Sequence, residues 1–167
     1  MRRPKWTQGM TLVELMIVVV IVGVLSVLAI TGYRKYTFRA RNSEAINFLQ
    51  SIRASQEAYY QSFGRYCGTP AAALWPAQVP REEKLEWGAP QPLAWRHLGV
   101  KSPGWVWFQY ELRAGGPNDA AGASFEDQPE GQWFVAQAHG DFIEGGLTSL
   151  FEITSETETV YVENENH

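Results

Sequence analysis

A single cysteine, Cys67, occurs in 167 residues, so no disulfide within the chain is possible and the fold must stand on its core. Basic residues are almost missing from the last third. From Glu111 onward there are twelve acidic side chains and one basic one, Arg113. Nine of the fourteen Lys and Arg residues lie between Arg2 and Arg65. A basic surface wide enough to grip nucleic acid is therefore not evident in the globular part, and nucleic acid is not an expected partner. Catalytic patterns are also missing. His97, His139 and His167 stand apart, and no nucleophile elbow, metalloprotease spacing, phosphate loop or dinucleotide glycine pattern is present. The chain does not read as an enzyme.

What the chain does have is a long apolar run. Between Met10 and Gly32 the one ionisable side chain is Glu14. About 24 residues at 1.5 Å each span about 36 Å, enough for a hydrocarbon core of about 30 Å. Arg2, Arg3 and Lys5 precede the run and should stay cytoplasmic, which puts the rest outside the inner membrane. Tyr33 and Tyr36 stand at the far end with Arg34 and Lys35, residue types that favour an interface. A cleaved secretory signal and a plain signal anchor are the bland readings. Neither needs Glu14, whose charge costs about 2.5 to 3.5 kcal/mol inside such a segment.

The stretch "QGMTLVELMIVVVIVGVLSVLAI" resembles the class III leader and first helix of the type IV pilin and pseudopilin family. The resemblance covers residues 1 to 66. It implies a short leader cut by a membrane prepilin peptidase between Gly9 and Met10. It also implies N-methylation of Met10, and a retained apolar helix that becomes the core of a helical filament. Thr11 and Glu14 are then the assembly residues, with Glu14 facing the α-amino cation at Met10 of a neighbouring subunit. Paired, the carboxylate is no longer an isolated charge in an apolar medium. Two positions depart from the family. Many members begin the mature chain with Phe rather than Met10, and many carry Pro where Thr31 stands.

Helical periodicity continues beyond the apolar run. Phe38, Ala45, Ile46, Leu49, Ile52, Tyr59, Tyr60 and Phe63 recur at steps of three and four. Arg39, Asn42, Glu44, Asn47, Gln50, Arg53 and Glu57 fall on the opposite face. Gly64 offers a left-handed stop. The expected helix, Thr11 to Phe63, is about 53 residues or about 80 Å long. Residues 69–104 are rich in Pro, Ala and Trp, which forbids a long helix or a central strand. Trp75, Trp87 and Trp95 should pin this connector to the body. Strands are expected at Trp105–Arg113, Gln132–Gly140, Leu147–Ser155 and Thr159–Glu165, with a polar excursion at 115–131.

The expectation is an α+β fold, a long N-terminal helix whose second half packs on an antiparallel sheet of about four strands. The divisions are a leader (1–9), an apolar membrane and filament-core helix (10–36), the amphipathic half of the helix (37–66) and a head (67–167). The expected role is structural: a minor pilin of a type IV pilus, held single-pass in the bacterial inner membrane and then carried to a cell-surface pilus. The alternatives are a type II secretion pseudopilin in a periplasmic pseudopilus, and a tip adhesin or DNA-uptake pilin. Expected partners are prepilin peptidase, other pilin subunits, the inner-membrane assembly platform and the membrane itself. No cofactor is expected, although Asp141, Glu144 and Glu152 could place oxygens around calcium. Cys67 reads as a small buried hydrophobe, with pairing to a second chain as the alternative.

Overall fold

A computed structural model describes residues 9–81, 83–102, 104–141 and 149–164. The chain divides into two compact units, 1–38 and 39–167. Helix α1, Leu12–Phe63, begins in the first and ends in the second. The basic leader residues Arg2, Arg3 and Lys5 lie outside the described residues, as does Glu144.

The second unit is α+β. Among the described residues, seven strands follow α1: β1 Ala73–Trp75, β2 Leu85–Glu86, β3 Trp105–Val106, β4 Gln109–Gly115, β5 Trp133–Gly140, β6 Ser149–Thr154 and β7 Tyr161–Glu163. A short helix, α2 Leu93–Leu98, sits between β2 and β3. The main sheet has the order β1-β4-β5-β6-β7, with every pair antiparallel. Strands β2 and β3 form a separate two-stranded ribbon.

The fold class is the one read from the pattern; the strand count is higher. The expected strand Trp105–Arg113 is two elements, because the chain leaves the ribbon at Trp107 before entering the sheet at Gln109. The Pro-rich connector also supplies β1, which proline chemistry permits because it is a three-residue edge strand. Trp95 and Trp87 of the connector are buried. Trp95 further donates its indole N–H to the Ala73 carbonyl at 2.9 Å, tying α2 to β1.

Period-two alternation decides which strand residues meet α1. Tyr110, Leu112 and Ala114 of β4, Phe134, Ala136 and Ala138 of β5, and Phe151 and Ile153 of β6 share one core with Ala45, Leu49 and Ile52 of α1. Each fully buried Leu or Ile contributes about 1.5 to 3 kcal/mol. The opposite face is covered in part by the excursion between β4 and β5, whose Ala121 and Phe125 pack on Trp133 and Val135 of β5.

The helical stripe needs two corrections. Asn42, assigned to the polar face, is buried, and so is Gln56. At the other end, Tyr60 and Phe63 are exposed rather than turned onto the sheet. The chain reverses at Gly64, whose φ of 66° is left-handed and whose N–H donates to the Tyr60 carbonyl at 2.8 Å. Tyr66 then returns to stack on Tyr60 at 4.8 Å and meets Phe134 edge-on at 4.9 Å. The aromatic residues at this end thus pack on the reversing chain.

Candidate assembly site

The N-terminal end of α1 is a reciprocal cap. Thr11 Oγ1 accepts from the Glu14 N–H at 3.3 Å, and Glu14 Oε2 accepts from the Thr11 N–H at 3.4 Å. The first backbone bond of the helix runs from the Leu15 N–H to the Thr11 carbonyl at 3.1 Å. Thr11-Leu12-Val13-Glu14 is a capping box, in which two of the otherwise unpaired first-turn donors are satisfied by side chains. The Glu14 charge also lies at the positive pole of the helix dipole. This capping role of Thr11 and Glu14 escaped the sequence reading, although a Thr followed three residues later by Glu, ahead of an apolar run, carries the signal. Among the described residues, Glu14 Oε1 has no hydrogen-bond partner. Gly9 and Met10 precede the cap and are exposed.

Beyond the cap, the helix offers an apolar surface on all sides. Leu12 is 74% exposed, and even Val18 is 46% exposed. The hydroxyls along it are satisfied within the helix. Ser26 Oγ donates to the Val22 carbonyl at 2.7 Å, and Thr31 Oγ1 donates to the Leu28 carbonyl at 3.0 Å. A helix whose polar groups are internally paired and whose outside is apolar suits a hydrocarbon medium. It is long and apolar enough to cross a membrane.

A family model described as "Prokaryotic N-terminal methylation motif" matches residues 7–30, which contain Gly9, Met10, Thr11 and Glu14. The N-terminal segment of the chain is similar to that of type IV pilins. Among relatives in this family, the fimbrial protein of Neisseria meningitidis is 41% identical over 66 residues, or 40% of this chain and 39% of that protein. The type IV major pilin protein PilE1 of Neisseria gonorrhoeae is 42% identical over 59 residues, 35% of this chain and 36% of that one. The type IV major pilin protein PilA of Myxococcus xanthus is 39% identical over 59 residues, 35% of this chain and 27% of its own. The chain thus spans well under half the length of the pilins it matches. No solved structure matches it.

The other residues singled out from the sequence fall elsewhere. Arg41 lies 3.9 Å over the Trp107 ring, a cation–π contact within the head. Asp141 pairs with Arg81 at 3.1 Å. Glu152 accepts from Ser124 Oγ at 2.8 Å and from the Gln137 side-chain amide. Cys67 is buried, and burial pushes its thiol pKa up. Its backbone is gripped by Gln56, whose amide donates to the Cys67 carbonyl and accepts from the Cys67 N–H, both at 2.8 Å.

Proposed function

We propose that the chain is a structural subunit of a type IV pilus-like filament, held in the inner membrane until it is extracted into the filament as a minor pilin. In this reading prepilin peptidase cuts after Gly9, Met10 becomes the N-methylated terminus, and the head stands outside the inner membrane. The observation that carries the proposal is the apolar surface from Leu12 to Ile30, exposed on every side of α1, in a chain whose head already has a closed core of its own. A surface of that kind is stable only in lipid or against other apolar helices.

Between lipid and neighbouring helices the apolar term nearly cancels, because lipid tails are as apolar as leucine. The carboxylate does not cancel. Alone in lipid it costs about 2.5 to 3.5 kcal/mol on insertion scales. In a filament, the Glu14 oxygen left open by the capping box can meet the α-amino cation at Met10 of another subunit. Glu14 therefore favours the assembled state and sets its axial register. With the buried Cys67 as its one cysteine, the head has no disulfide-closed C-terminal loop, which supports a minor rather than a major subunit.

Mass spectrometry of the mature chain tests this directly. The expected species starts at N-methyl-Met10 and is recovered in sheared filaments. A mature start near residue 30, or an intact leader in a peptidase-competent host, refutes the reading. Gly9→Trp should leave the precursor uncut in the membrane.

A further inference from the structure

A groove of about 520 Å³ lies between α1 and the β2–β3 ribbon. Phe48 and Ser51 of α1 and Val106 and Trp105 of β3 line it, with Lys84 and Lys101 as its cationic groups. Trp105 is 60% exposed, an unusual state for an indole on a head with a full core. Glu44, also in the groove, is already committed. Its Oε1 accepts from the Trp107 N–H at 2.7 Å, and its Oε2 meets Lys84 Nζ at 3.4 Å. Among the described residues, Lys101 has no carboxylate partner. The groove thus combines an apolar floor, an open indole and an unmatched positive charge.

A complementary surface lies on β7, an edge of the main sheet. Glu156, Glu158, Tyr161 and Glu163 are all exposed, while Val162 packs on the core. By strand periodicity Tyr161 and Glu163 share the outward face. No Lys or Arg occurs after Arg113, so this segment has no nearby cation in its own sequence. None of its residues lines the groove, so the two surfaces meet only between molecules.

We propose that the groove receives the β7 segment, Glu158 to Glu163, of a second copy of this chain. Tyr161 enters against Trp105 and Phe48, and the flanking carboxylates face Lys101 and Lys84. The two patches differ, so the contact is head-to-tail and can repeat along an open helix, as the filament reading requires. This rests on the filament reading above and names the head surface that it uses. The charged part lies at an exposed site and weakens with salt.

The test uses the full-length chain in a filament-forming host, with two differently tagged copies. One copy carries Ser102→Cys in the groove and the other Thr159→Cys beside β7; the native Cys67 is buried and does not compete. A separate pair, Val20→Cys in one copy and Val24→Cys in the other, reports packing of the apolar helices in the register set by Met10 against Glu14. The 102–159 dimer is expected in sheared filaments. Lys101→Glu should lower its yield about tenfold, because like charges then face each other, and Glu158→Lys in the partner copy should restore it. If the 20–24 dimer forms and the 102–159 dimer does not, the groove contact is wrong while the filament reading stands. A 102–159 yield indifferent to charge reversal, or capture of a different protein by the groove cysteine, also overturns it. If neither dimer forms, the filament reading falls and the contact falls with it.

Discussion

Replacing Gln56 tests how the chain is held after it leaves α1. The Gln56 side chain is fully buried and bonds both polar groups of the Cys67 backbone at 2.8 Å. Gln56→Leu keeps most of the volume but leaves the Cys67 N–H and carbonyl without these partners. Each buried group so abandoned costs about 1 to 3 kcal/mol, and part is regained because leucine needs no polar partner. The expected net loss is about 2 to 4 kcal/mol, with Gln56→Ala about 1 to 2 kcal/mol worse for its cavity. Gln56→Glu separates hydrogen bonding from packing. When ionised, the introduced carboxylate still accepts from the Cys67 N–H but confronts the Cys67 carbonyl with a second acceptor. When protonated, it restores the donor. Burial and that carbonyl raise its folded pKa above the unfolded value of about 4.3. The protonated form's stabilisation is therefore fully present below about pH 4.3 and is lost as pH rises through the folded pKa. The assay is urea unfolding of a truncated chain beginning at Phe38, followed by circular dichroism at pH 4 and pH 7. A Leu variant within about 0.5 kcal/mol of wild type, or a Glu variant whose deficit does not shrink in acid, would refute the clamp.

The truncated chain itself should be folded and monomeric, because the core formed by Ala45, Leu49, Ile52 and the sheet lies wholly within it; an unfolded circular dichroism spectrum would contradict this. In the same chain, Ile52→Asp should cost several kcal/mol, roughly 3 to 5, through an uncompensated buried charge, read as a lower urea midpoint. Glu111 is held below the usual carboxylate range chiefly by the His139 imidazole, 3.4 Å from Oε2, and then by Arg113, 2.9 Å from Oε1. Its stabilisation is present above the unfolded pKa and lost as pH falls through the lower folded one. Glu111→Gln should flatten the acid limb of stability against pH, and an unchanged limb would count against the pairing. Glu14→Leu should leave leader cleavage intact and membrane residence improved, yet cut the fraction of processed protein in sheared filaments. Glu14→Asp should fall between, and normal assembly of the Leu variant would rule out the register role.

The sequence disclosed most where one strong period or one punctuating residue dominates. The helix bounds were legible because the apolar run and the stripe through Ala45, Leu49 and Ile52 end at Gly64. Strands β5 and β6 were legible because aromatic and β-branched residues concentrate there between turns. The short elements were not. β1, β2 and α2 run for three, two and six residues, and what fixes them is tertiary: the Trp95 indole on the Ala73 carbonyl, and Glu44 on the Trp107 N–H. Polar residues in the core were illegible for a related reason. Nothing local says that Gln56 will find the Cys67 backbone eleven residues away. At the N-terminus the apolar run after Glu14 was plain, while the cap linking Thr11 to Glu14 depends on the turn of backbone that brings the two together.

Strand β5 contributes to both faces of the main sheet. Phe134, Ala136 and Ala138 point into the core under α1, while Trp133 and Val135 point into the smaller cluster under the β4–β5 excursion. Backbone amides along it bond to β4 on one side and β6 on the other. Opening β5 to solvent therefore requires the loss of two apolar layers and two ladders together, whereas β1 and β7 can fray at the cost of one ladder each. In native-state hydrogen exchange the central amides of β5 should exchange last, near the global unfolding limit, and those of the two edge strands first. The excursion, with Phe125 on its own small cluster, can then open and reclose, or drift in sequence, without the helix-facing core registering the change.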